Sequence, residues 1–74
     1  MRITVKLFAT LQQGRSREEV RNVPPGTTVS RVIRELHLPK EEIKVILVNS
    51  RHADVSLELS DGDTLVLFPL VDGG

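Results

Sequence analysis

Pro24-Pro25-Gly26-Thr27-Thr28-Val29-Ser30-Arg31-Val32-Ile33-Arg34-Glu35-Leu36 decides what kind of fold this chain can take. The two prolines halt any strand, since proline offers no amide hydrogen to a ladder. Thr27 or Thr28 then caps a helix. Val29, Val32, Ile33 and Leu36 fall at i, i+3, i+4 and i+7, a single apolar stripe, with Arg31, Arg34 and Glu35 off it. Pro39 is expected to end the helix, because the residue before a proline is pushed out of helical geometry. A helix of about two and a half turns does not stand alone in water, so it must pack against something.

The sequence on either side supplies a sheet for it. Upstream, Ile3, Val5 and Leu7 alternate with Thr4 and Lys6, the period-2 signature of a half-buried strand, expected over roughly residues 2 to 9. Gln12-Gln13-Gly14-Arg15-Ser16 is polar and contains glycine, as a hairpin connection should. A weaker, charged strand at roughly 18 to 23 suits a sheet edge, where charge discourages pairing with another chain. Downstream, Lys44-Val45-Ile46-Leu47-Val48 is apolar without alternation, which points to an interior strand. Asn49 to His52 reads as a turn, and Leu57 and Leu59 as apolar anchors of a polar excursion. Asp61-Gly62-Asp63 is a second turn. The last strand, Thr64 to Phe68, stops at Pro69, leaving Leu70-Val71-Asp72-Gly73-Gly74.

Strand, strand, helix, strand, strand describes an α+β fold: a mixed sheet of four to five strands with one main helix on one face. No element remains to cover the other face. Seventy-four residues make one domain, expected over 1–70 with a flexible tail at 71–74. There is no cysteine, so disulfides and thiolate metal sites are excluded. A cytoplasmic setting fits. Ten basic residues balance ten acidic ones, and Glu18 and Glu19 interrupt the Arg15, Arg17, Arg21 cluster, which argues against nucleic acid as a partner. No apolar run approaches the roughly 20 residues that span a bilayer, and the alternating N-terminus does not look like a signal peptide.

Few residues carry chemistry. His37 and His52 lack the convergent companions a metal site needs and read as surface histidines. Asp61 and Asp63 lack the further ligands of a calcium loop and read as turn formers. No serine–histidine–acid set or phosphate-binding glycine loop is evident. The expectation is a protein that binds no cofactor and catalyses nothing alone. Gly73-Gly74 is different in kind. An acyl carrier needs a carboxylate that can enter a narrow cleft, and side-chain-free glycines let the backbone approach closely. Pro69 ends the ladder so that the tail can project.

GDTLVLFPLVDGG, from Gly62 to Gly74, resembles the end of the small MoaD/ThiS-type sulfur carriers, with its Gly-Asp turn, apolar strand and Gly-Gly. Phe68-Pro69 and VKLFATL (Val5 to Leu11, with Phe8-Ala9) are similar to the branch of molybdopterin-synthase small subunits. PPGTTVSRVI resembles that family's entry into its helix, and LVNSRHAD its third-strand exit.

The resemblance implies a ubiquitin-like β-grasp fold and a cycle of adenylation, thiocarboxylation and sulfur delivery. Gly74 would bear the adenylate and then the thiocarboxylate, and Gly73 would thread with it. The implied partner is an ATP-dependent adenylating enzyme, which consumes the ATP. A molybdopterin synthase large subunit is the further partner if the product is molybdopterin, the organic part of the molybdenum or tungsten cofactor. In a β-grasp the first and last strands are neighbours. Phe8, Val66 and Phe68 would then share the uncovered face, and with Leu70 form a partner-binding surface. Alternatively, one or both rings tuck beneath the 10–16 or 50–60 loops.

The chain departs from the family pattern at three places. Leu70 stands where a second proline is frequent, Ser50 where glycine is frequent, and the segment after Leu11 lacks a Leu-Arg-Glu-like helix start. Serine is a competent turn residue, so Ser50 is expected to matter little. Leu70 and the altered loop leave other recipients open: thiamin or another sulfur pathway, a ubiquitin-like modifier joined to lysines, or an interaction module with an inert tail.

Overall fold

A computed structural model describes residues 1–8, 11 and 17–69. Five strands, β1 (Arg2–Leu7), β2 (Glu18–Asn22), β3 (Ile43–Val48), β4 (Arg51–His52) and β5 (Thr64–Pro69), form one sheet in the order β2-β1-β5-β3-β4. The helix α1 (Val29–Glu35) packs over one face, and a short 3-10 turn, Lys40–Glu42, leads into β3. β1 and β5 run parallel at the centre, while every other pairing is antiparallel. This is the mixed, helix-covered sheet that the sequence pattern implies.

The core lies between α1 and the sheet. Ile3, Val5 and Leu7 of β1 and Leu65 and Leu67 of β5 meet Val29, Val32 and Ile33 of α1, all buried. Leu11, Val23, Leu38, Val48 and Leu59 close its margins. Arg21 and Glu19 sit opposite Ile3 and Val5 on the edge strand β2 and pair with each other at 2.7 Å.

Thr28, not Thr27, caps α1: its hydroxyl oxygen accepts from the Arg31 N–H at 3.2 Å. Thr27 is buried and donates its own hydroxyl to the Pro24 carbonyl at 2.7 Å. A helix start leaves its first amides without intrahelical partners. Here the 53–60 excursion supplies them, with Val29 N–H donating to Leu57 O at 3.0 Å and Ser30 N–H to Val55 O at 2.9 Å. Leu57 therefore anchors through its backbone, since its side chain is exposed, whereas Leu59 anchors by burial.

Pro39 does not end the helix. His37 takes a left-handed backbone (φ 56°) just past Leu36. His37 N–H then donates to Arg34 O at 3.0 Å, and Leu38 N–H to Ile33 O at 3.2 Å. These two bonds are the Schellman closure, and buried Leu38 and Ile33 supply its apolar contact.

β3 lies inside the sheet, between β5 and β4, as its unbroken apolar run implies, and β4 pairs with it at Leu47 and Val48. Two further expectations change. Asn49 to His52 is a turn followed by a strand. Asn49 and Ser50 form a two-residue hairpin loop with φ 53° and 69°, the double positive φ of a type I′ turn. Serine there sits in the region that favours glycine, so Ser50 is not the neutral replacement the sequence suggests.

Candidate functional site

The face of the sheet turned away from α1 is built by alternation. Burial of Ile3, Val5, Leu7, Leu65 and Leu67 against the helix sends Lys6, Phe8, Val66 and Phe68 to the opposite side. The parallel register Lys6↔Val66 and Leu7↔Leu67 carries on to set Phe8 beside Phe68, and Phe8 N–H donates to Leu67 O at 3.3 Å. The rings stack with centroids 4.7 Å apart and planes 17° from parallel. That offset-stacked separation is one aromatic pairs prefer.

Both rings are half-buried. They neither vanish into the core nor stand free. Val66, also half-buried, lies opposite Leu47, and Phe68 opposite Val45. Residues directly across an antiparallel ladder share a face, so Val45 and Leu47 extend the patch. Val20, opposite Thr4 on the edge strand β2, is on the same face and exposed. Sequence reasoning missed Val45 and Leu47, because a strand without alternation does not reveal which side each residue takes. Their register with β5 is the signal that finds them.

β1 and β5 are parallel, so the Phe8–Phe68 pair lies at the same sheet end as Pro69, the last residue of β5. The chain continues from there toward the tail. Leu70, Gly73 and Gly74, the remaining residues expected to work in a partner complex, lie outside the described residues.

Lys6, Phe8, Arg17 and Glu18 line a shallow depression of about 290 Å³ beside the stacked rings. Opposite the patch, at the far end of β5, Asp61 and Asp63 serve the fold. Asp61 accepts from Arg2 N–H at 2.8 Å, and Asp63 accepts from the Asn49 side chain at 2.8 Å and from Ser60 N–H at 2.7 Å. His52 pairs with Leu47 at the sheet margin, and His37 closes the helix. Among the described residues, no three histidine, aspartate or glutamate side chains gather as a metal ligand set. Nor is any helix among them long and apolar enough to cross a membrane. Away from the patch, hydrogen bonds from the Ser56 hydroxyl and backbone hold the Asp54 carboxyl below the usual carboxylate value.

The site is thus an apolar sheet face with an aromatic pair at the end from which the tail departs. Such a face can dock a protein, and among the described residues it brings together no catalytic group. The ThiS family model matches residues 5–74. The chain belongs to the ThiS family. SAMP1 from Haloferax volcanii shares 25% identity over the full length of both chains, with a TM-score of 0.80. A putative molybdopterin converting factor, subunit 1, from Pyrococcus furiosus is 30% identical over 96% of this chain and 99% of that one, with a TM-score of 0.78. The complex of subunits 1 and 2 of molybdopterin-converting factor from Helicobacter pylori supplies a chain of the same fold, at 21% identity over the full length of both and a TM-score of 0.69. No match among curated proteins is found by sequence. This ThiS-family chain is a ubiquitin-like β-grasp protein of the sulfur-carrier and modifier kind, and the relatives it resembles are small carriers or modifiers.

Proposed function

We propose that this protein carries sulfur on Gly74 and is a co-substrate or non-catalytic subunit, not an enzyme. An ATP-dependent adenylating enzyme joins the Gly74 carboxylate to AMP and releases pyrophosphate. A sulfide equivalent then displaces AMP, leaving a thiocarboxylate. Delivery of that sulfur to an acceptor, with water supplying the replacing oxygen, returns the carboxylate. The ATP is bound and spent by the partner, and the carrier itself holds no cofactor.

The observation that carries this reading is the stacked Phe8–Phe68 pair in an apolar face, at the sheet end from which the chain runs on to Gly73-Gly74. Exposed apolar patches mark partner sites, and aromatics serve as their anchors. Five residues beyond Pro69 span at most about 18 Å at roughly 3.3–3.6 Å each. A partner that grips this face is thereby within reach of the terminal carboxylate. Phe8, Val66, Phe68 and Leu70 are the partner-binding residues, now joined by Val45 and Leu47, and Gly73 threads the cleft.

Molybdenum-cofactor biosynthesis is the recipient this reading favours. The likeness to the Pyrococcus molybdopterin converting factor subunit supports it, and a synthase large subunit would be the second partner. The likeness to Haloferax small archaeal modifier protein 1, 26% identical, favours a second reading in which the same activated Gly74 is joined to lysines. Both proceed through one acyl-adenylate.

Intact mass spectrometry after incubation with an adenylating enzyme, ATP and a sulfur donor tests the carrier chemistry. Replacement of one oxygen by sulfur, abolished by removal of Gly74, supports it. An unchanged mass with several competent adenylating enzymes refutes it.

A further inference from the structure

We propose that the depression formed by Lys6, Phe8, Arg17 and Glu18 receives a carboxylate side chain of the protein that docks on the open sheet face, so that it selects acidic-rimmed partners. This rests on the carrier reading above and names the chemistry of the partner's contact. Phe8 belongs both to the depression and to the ring stack, so the charged hollow adjoins the apolar patch directly.

The charge balance of the chain as a whole is neutral, but it is not neutral here. Among the described residues that line the depression, two cations face one anion. Glu18 lies directly across the ladder from Lys6, a position in which opposite charges ordinarily attract. Yet among the described residues the ion pairs are Arg21–Glu19 and Arg31–Glu35, and neither Lys6 nor Arg17 takes part in one. By contrast, Asp61 and Asp63 at the other end of β5 are held by hydrogen bonds within the fold. The anions there are committed, and the cations beside the rings are not.

Lys6 is half-buried between β2 and β5. A cation beside an apolar face that a docking partner covers attracts a carboxylate more strongly than one left fully in water. Glu18 on the rim limits the surplus, which suits one carboxylate better than a run of phosphates. Charges at the margin of an apolar interface act chiefly on encounter rate and partner choice. Here they would bring the partner onto the rings in the one orientation that presents its cleft to the tail.

The test uses the full-length carrier and whichever adenylating enzyme adds sulfur to it, with thiocarboxylation followed by mass at low and high salt. Lys6→Glu and Arg17→Glu are each expected to lower kcat/KM about tenfold at low salt, through KM, with kcat at saturating carrier unchanged. The double variant should lose most of the salt dependence. Arg34→Glu and Lys40→Glu, in the separate depression beside α1, make the same change in net charge and should leave the rate within about twofold. Exposed Arg17 is the substitution that spares the fold if Lys6→Glu unfolds it, and thermal melts report this. Equal losses at Arg34 and Lys40 would show a net-charge effect and overturn the proposal, while wild-type rates in Arg17→Glu would refute it and leave the carrier reading standing. Absence of any mass change in the wild-type protein removes the carrier reading, and this proposal with it.

Discussion

Phe8 and Phe68 come from opposite ends of the chain and stack at 4.7 Å because β1 and β5 are parallel central neighbours. No turn or local contact links them, so the pair exists only once the sheet has closed. The same register commits Leu7 and Leu67 to the core and leaves the rings on the other side.

From that division follows a separation of effects. Phe68→Ala should cost about 1–2 kcal/mol of stability, less than the 3–5 of a fully buried ring, since it is half-buried and loses one stacked partner. Leu67→Ala, one residue away and fully buried, should cost about 2–5 kcal/mol. Affinity for the adenylating enzyme should show the reverse order once folded protein is compared, with Phe68→Asp the weakest binder. Denaturant melts and calorimetric titration check both, and a Phe68→Ala loss as large as that of Leu67→Ala would return the ring to the core.

Asn49 ties the β3–β4 turn to the start of β5. Its side-chain amide donates to Asp63 at 2.8 Å, its side-chain oxygen accepts from Thr64 N–H at 3.0 Å, and its own N–H donates to Thr64 O at 2.9 Å. Asn49→Ala removes the two side-chain bonds and is expected to cost about 1–2 kcal/mol. Beside it, Ser50→Gly should stabilise by about 0.5–1 kcal/mol, because glycine takes the φ of 69° without steric strain. Urea midpoints at constant slope measure both signs.

Asp54 carries the pH dependence that can be assigned. Its carboxyl is lowered from the ordinary 3.8, first by the Ser56 hydroxyl and then by the Ser56 backbone. A folded value below the unfolded one adds stability that is present above the unfolded pKa and fades as pH falls through the folded one. Ser56→Ala should therefore move the Asp54 titration upward in NMR-monitored pH series and leave neutral-pH structure unchanged. An unmoved titration would mean that backbone bonds alone set it.

The sequence pattern made the hairpin, the helix stripe and the final strand readable because one face of each meets the core and the other meets water, as Ile3 against Thr4 or Val32 against Arg31 shows. Where that contrast fades, reading fails. Val45 to Leu47 is apolar throughout, so only the register with β5 told outward Val45 and Leu47 from inward Ile46. The helix stop was misplaced for another reason. Pro39 is a strong local signal, but buried Leu38 gains more by folding back onto Ile33, and His37 accepts a left-handed backbone to allow it. Ser50 was misjudged because a turn residue's suitability depends on the sign of φ, which composition does not state.

Gly73 and Gly74 supply the remaining prediction. The described core runs from Ile3 to Leu67, and β5 spans Thr64–Pro69. Deleting Gly74, or replacing Gly73 by Trp, should then leave the melting temperature nearly unchanged, within the about 0.5 kcal/mol typical of substitutions remote from a core. Affinity for the adenylating enzyme should persist after Gly74 deletion, because Phe8, Phe68 and their neighbours remain. Sulfur transfer should vanish in that variant, since the reacting carboxylate would move back by one residue, up to about 3.6 Å of extended chain, and catalysis tolerates little misplacement. Gly73→Trp should fail differently, binding the enzyme but leaving the bulky side chain at the cleft mouth, with adenylate formation lost before any sulfur step. Pyrophosphate release and thiocarboxylate mass, measured on the same samples, separate these two failures. Sulfur delivery that survives deletion of Gly74 would show that the working carboxylate is elsewhere.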